Sequence, residues 1–193
     1  MAAALAGAGK AEEANRRYGE AEQAAVAGEQ AGDPVCARLR VQVRLCRGSL
    51  LIQAGAWPLG ARLYAETVPL AMATKDPGMI IDCHRLASFC REQAREYQAA
   101  WQHGVDGLAY VRTVEKEELA HTQLPYLGLG LERLCKREQW RGSWKRIEQE
   151  LVSLLGATWR PPSPWAGRRS KTWWTSARCT SPGARCGTST CRL

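Results

Sequence analysis

Gly55-Ala56-Trp57-Pro58-Leu59-Gly60 is the stretch that decides the fold, because it recurs. Gly9-Lys10-Ala11-Glu12-Glu13-Ala14, Arg95-Glu96-Tyr97-Gln98-Ala99-Ala100 and Glu138-Gln139-Trp140-Arg141-Gly142-Ser143 superpose on it without gaps, and each ends in a small residue. The copies start at 9, 55, 95 and 138, in steps of 46, 40 and 43 residues, and the pairs Asp33-Pro34 and Asp76-Pro77 also stand 43 apart. Tyr18 and Tyr64 each follow the small residue by four. A recurrence of this length is the mark of stacked supersecondary units. Two helices can close on each other at a short turn only where one presents Gly, Ala or Ser at the crossing, with an aromatic filling the space beside it.

Working outward from the turns, apolar residues recur at helical spacing. Ala14, Tyr18, Ala21 and Ala25 mark a helix from Ala11 to Gln30 that ends at Gly32-Asp33-Pro34. From Val35 to Ala54, Leu39, Val43, Cys46 and Leu50 form one stripe and Val41, Leu45 and Ile52 a second, so this helix is expected to be buried from two sides. Leu63, Tyr64, Val68 and Met72 mark the next, up to Lys75. Helices are predicted over Met79–Ala94, Tyr97–Val114, Glu117–Lys136 and Trp140–Leu155, which makes about seven in all. The fold expected is all-α: a solenoid of stacked helix pairs over residues 1–156, followed by a disordered basic tail over 157–193.

Composition agrees with helices, since Gly and Ala are plentiful and Phe89 is the single phenylalanine. The net charge of +8 misleads if spread over the whole chain. Of 27 Lys/Arg, seven (Arg160, Arg168, Arg169, Lys171, Arg178, Arg185 and Arg192) lie beyond Trp159 with no acidic residue among them, which leaves 20 against 19 Asp/Glu before it. The body is close to neutral and the basicity belongs to the tail. Cys36, Cys46, Cys83, Cys90 and Cys135 fall in apolar helical stretches, and Met1 to Gly7 has neither the basic start nor the apolar length of a secretory signal. Reduced, packed thiols in a cytoplasmic protein are therefore expected. No apolar run approaches the ~20 residues of a membrane span.

Residues 1 to 155 resemble the tetratricopeptide repeat family, particularly its longer-period members such as those of kinesin light chain and cell-polarity adaptors. The resemblance is carried by Gly55 to Gly60 and by the helix endings Ala25-Gly28-Gly32-Asp33 and Ala71-Ala73-Asp76. The chain departs from the pattern at Gly60 and Ser143, where Ala is usual, at Gly104 in place of an aromatic, and at Arg95 and Glu138 in place of Gly. With only a short segment before Gly9, the resemblance leads to the expectation of a fragment or truncated member of a longer array. The resemblance implies a non-enzymatic scaffold or adaptor, without cofactor or metal, that holds a segment of another protein in the groove lined by the leading helix of each pair. By that implication Gln42, Leu45, Ser49 and Gln53, then Asp82, Arg85, Phe89 and Gln93, and finally Glu132 and Lys136, face the ligand.

Other constellations carry less. His84, His103 and His121 sit on different helices without ligand spacing, so no metal site or catalytic dyad is expected. Glu115, Glu117 and Glu118 stand at a helix start, where the helix dipole attracts carboxylates. Arg40, Arg44 and Arg47 form a basic stripe, expected to be a solvated face; in the groove it would select acidic peptides. In the tail, Trp165, Trp173 and Trp174 interleave with Arg168, Arg169, Lys171 and Arg178, a combination able to bind phosphates and stack on bases. An RNA- or DNA-associated protein acting through this tail is the alternative function. Cys179, Cys186 and Cys191 lack the paired spacing of a zinc ribbon.

Overall fold

Asp33-Pro34 and Asp76-Pro77 open two helices in the same way. Proline fixes φ near its helical value at a position where the backbone N–H has no intrahelical partner anyway. Each preceding Asp takes extended backbone (φ −80°, ψ 110° and φ −93°, ψ 108°) and accepts a backbone N–H, from Val35 at 2.9 Å and from Met79 at 3.1 Å. Just before them, Gly32 (φ 87°) and Lys75 (φ 56°) take the left-handed conformation. The second kind of turn also repeats. Lys10, Ala56 and Glu96 share one conformation (φ −91°, ψ 59°; φ −80°, ψ 59°; φ −90°, ψ 61°), and Gly55 (φ 71°) and Arg95 (φ 64°) precede the last two with left-handed backbone. Two turn geometries therefore alternate, at the positions where the sequence recurs.

The computed structural model describes residues 10–119, 122–137 and 141–155, all within one compact unit, Met1–Trp159. Among the described residues there are eight helices and no strand: α1 Ala11–Gln30, α2 Pro34–Gln53, α3 Trp57–Thr74, α4 Pro77–Gln93, α5 Tyr97–Val111, α6 Lys116–Leu119, α7 Leu124–Arg137 and α8 Arg141–Leu155. From α1 to α5 each helix packs on its sequence neighbour; α7 packs on α5 and α8, and α4 also touches α2 and α7.

Burial follows these contacts. Ala14 and Tyr18 of α1 meet Val43 and Leu50 of α2. The opposite side of α2 places Val41, Leu45 and Ile52 in a core with Ala61, Tyr64 and Ala71 of α3 and Ile80, Cys83, Ala87 and Cys90 of α4. A further core joins Ile81, Leu108, Val111 and Leu119 to Leu124, Leu127 and Leu131 of α7 and Ile147 and Leu151 of α8. The two-sided burial of α2 is as expected, except at Leu39, which is 48% exposed. At that end the close approach of α1 is Gly28 against Cys36, where a Cβ on Gly28 would lie 2.3 Å from the sulfur.

Glu117–Lys136 is not one helix. It divides into α6 and α7, because Pro125 cannot donate its N–H and its ring excludes continuous helix through the preceding turn. Thr122 manages the break: its hydroxyl donates to the Leu119 carbonyl at 2.9 Å and accepts from the Leu124 N–H at 3.4 Å.

Candidate functional site

The leading helices are α2, α4 and α7, and α4 is the one that contacts both others. On α2 the residues that keep solvent exposure or are only half-buried include Val35, Leu39, Gln42, Cys46, Ser49 and Gln53, steps of three and four that trace one helix face. Asp82, Arg85, Phe89 and Gln93 trace the same kind of face on α4, and Tyr126, Leu129, Arg133 and Lys136 on α7. Eight of the ten residues expected in the groove therefore lie on these faces. Leu45 and Glu132 do not. Both are buried: the Leu45 carbonyl accepts from the Tyr64 hydroxyl at 3.3 Å and the Ser49 hydroxyl at 3.1 Å, while Glu132 pairs with Lys136. On α7 the exposed position is Arg133, and one residue rotates a helix face by about 100°.

Most charges on these faces are paired. Arg85 donates to Asp82 through Nη2 at 3.0 Å and Nε at 3.1 Å, within one turn of α4. Arg133 reaches from α7 to Glu92 of α4 at 2.9 Å, and Glu92, only 4% exposed, is thereby supplied with a cation. Gln42, Ser49 and Gln53 on α2 and Gln93 on α4 add amides and a hydroxyl to these faces. Phe89 is half-buried and stands edge-on to Trp57, with ring centroids 5.7 Å apart, so it belongs partly to the core beneath.

The arginine stripe is neither a solvated face nor a groove lining. Arg40 donates to Glu29 at 3.1 Å; Arg44 to Glu22 at 2.7 Å, Glu66 at 3.1 Å and Thr67 at 2.9 Å; Arg47 to Glu22 at 3.3 Å and Asn15 at 2.9 Å. These acceptors lie on α1 and α3, so the stripe fastens α2 between its two neighbours. Glu22 and Glu29 lie on α1 and Glu66 on α3, and only the helix packing brings both stretches to the arginines of α2.

The structure also brings together two residues that their spacing keeps apart. His84 on α4 and His103 on α5 face each other with ring centroids 6.0 Å apart. They flank the Arg95 turn, and folding the chain back at that turn is the signal that would have paired them. The cysteines show the opposite case. Burial pushes the Cys83 and Cys90 thiols up to about 12 and Cys135 to about 11, so all three stay protonated at neutral pH as small packing groups.

Among the described residues, no three His, Cys, Asp or Glu side chains converge to hold a metal ion, and no helix is long and apolar enough to cross a membrane. Glu117 and Glu118 occupy the first turn of α6. His121, residues 138–140 of the fourth turn, the segment before residue 10 and the whole tail from Arg160, with its Trp/Arg cluster and Cys179, Cys186 and Cys191, lie outside the described residues. No protein-family model, curated protein or solved structure matches the chain.

Proposed function

We propose that the chain is a tetratricopeptide-like solenoid that works by binding alone, as an adaptor in the cytoplasm, holding a segment of a partner protein across the faces of α2, α4 and α7. One observation carries this reading: the leading helices lie side by side through α4, and each has a row of exposed or half-buried side chains at steps of three and four, mixed apolar and polar on α2 and mainly polar with an aromatic on α4 and α7. The alternation of two turn geometries supports the repeat. Helices already packed offer a rigid surface, so the ligand bears most of the ordering cost. Internal pairing of Arg85 with Asp82 and Arg133 with Glu92 leaves the face without a strong net charge. It therefore fits a segment recognised through amides and apolar contacts better than a polyanion.

The test is affinity capture from lysate with the full chain, Gln53→Arg/Gln93→Arg on the proposed face, and Arg62→Glu on the exposed side of α3. Proteins captured by the wild type and the α3 variant but lost from the double variant are the expected result. Capture that survives the double variant would remove the groove from the argument. Deleting Arg160–Leu193 separates the tail reading: capture abolished by that deletion and by nuclease would assign binding to the tail and nucleic acid.

A further inference from the structure

His84 is buried at the crossing of α4 and α5, and His103 opposite it is half-buried. The Nδ1 atom of each ring is sealed from water and has no hydrogen-bond partner. The helices have no slack there: a Cβ on Gly107 of α5 would lie 3.0 Å from the Cβ of His84 and 3.0 Å from Leu127 of α7. An imidazolium donates from both ring nitrogens, and a buried donor without an acceptor or water is costly.

The matching position in the preceding pair shows what a cation there requires. His84 stands as far before Arg95 as Arg44 stands before Gly55, and Gly107 as far after Arg95 as Thr67 after Gly55. Arg44 is given Glu22, Glu66 and Thr67 as acceptors. Around the histidines, two things favour protonation: Asp106 on α5, which is exposed and already accepts from Gln102 at 2.7 Å, and, for His84 alone, a hydrogen bond to the His103 backbone; burial outweighs both. Arg91 on α4 opposes a second positive charge, and α7 offers Leu127 and Leu131 to the adjoining glycines while its Arg133 is held by Glu92.

We propose that the His84–His103 contact is an acid-sensitive latch: it holds α4 against α5 while both rings are neutral and releases that crossing when either ring takes a proton. Burial, the facing His84 and Arg91 together push His103 down to about 4, and burial pushes His84 down as well. Since the unfolded ring titrates near 6.5, the opened or unfolded form binds protons first as pH falls. The contribution is complete above about 6.5 and is lost between there and about 4. The result is a face on α4 that is ordered near neutrality and loosened in mildly acidic surroundings.

The experiment uses the full chain and reads histidine ring titration by NMR together with folding equilibria at pH 7.5 and 4.5. His84 and His103 should both titrate below the free value. His103 alone should lower the folding constant by up to about 80-fold across that range, a loss absent from His103→Leu and retained in His121→Gln. Titration of both rings at or above the free value, or an acid loss in both His84→Leu and His103→Leu as large as that of the wild type, would overturn the latch. If a leucine variant does not fold, amide exchange of the wild type decides. Protection of α4 and α5 must fall with pH relative to α1 and α2, and parallel loss across all four helices sinks the proposal.

Discussion

The helix pairs α2–α3 and α4–α5 follow the same backbone path with different chemistry at each matched position. At the turn, Gly55 and Arg95 both take left-handed backbone. At the crossing, the first pair fills itself: Tyr64 is wholly buried, and a Cβ on Gly48 would stand 2.4 Å from its ring. In the second pair the counterpart of Gly48 is Ser88, whose hydroxyl donates to the Ala100 carbonyl at 2.8 Å, and the counterpart of Tyr64 is Gly104. The space over Gly104 is taken by Leu131 from α7. Deeper in, Arg44 among its acceptors answers to His84 facing His103. The first pair is sealed by its own aromatic and by fixed charge, whereas the second depends on the next helix and on neutral imidazoles. What repeats is the path of the backbone, and side chains are free to solve each contact differently.

The sharpest way to break this contrast is to remove the two fillers. Tyr64→Ala should cost about 3–5 kcal/mol, because removing a fully buried ring leaves a cavity in the core that α2 and α3 share with α4. Leu131→Ala should cost about 2–5 kcal/mol and act on the other side, loosening α7 from α5. Urea unfolding followed by circular dichroism measures both. A loss under about 1 kcal/mol at Tyr64 would show that the first pair does not seal itself.

Next in size are the glycines beneath those fillers. Gly48→Ala pushes a methyl group into a rigid, buried ring and should cost about 1–3 kcal/mol. Gly104→Ala meets the Leu131 methyl end at 2.5 Å, which can turn aside in a way that a phenol ring cannot, so its cost should be smaller. The reverse order in denaturant midpoints would mean that α7 is held more tightly than α3.

Much of this was legible in the sequence. The turn at Gly55 and its copies located the helices and the buried small residues Ala14, Gly60 and Ala100, because these obey local rules of backbone conformation and close approach. The break at Pro125 was missed, because the helical spacing continues on both sides of the proline and concealed its signal. Positions that depend on packing between distant segments were not legible. The acceptors of Arg40, Arg44 and Arg47 come from two other helices, and His84 meets His103 only once α4 and α5 fold back on each other. On the candidate face, the α4 row that the resemblance implies falls at half-buried and exposed positions. On α7 the resemblance points to Glu132 over Arg133, because amphipathic spacing does not separate a buried carboxylate paired with lysine from an exposed neighbour.

The smallest expected effect is the most direct test that the two turns are equivalent. Arg95 is exposed and held at φ 64°, where a side chain costs about 1–2 kcal/mol against the ordinary helical region. Arg95→Gly removes that strain, and the unfolded chain gains flexibility worth about 0.4–1 kcal/mol in opposition. The net expectation is a stabilisation of about 0.5–1 kcal/mol. Gly55→Ala runs the comparison backwards, since it places a Cβ at φ 71° where no neighbouring atom is near enough to clash, so any loss reports backbone conformation alone. Thermal midpoints of both variants should move in opposite directions by similar amounts. If Arg95→Gly instead destabilises the protein, the arginine side chain makes a contribution at the second turn that outweighs its backbone strain, and the equivalence of the turns ends at the backbone.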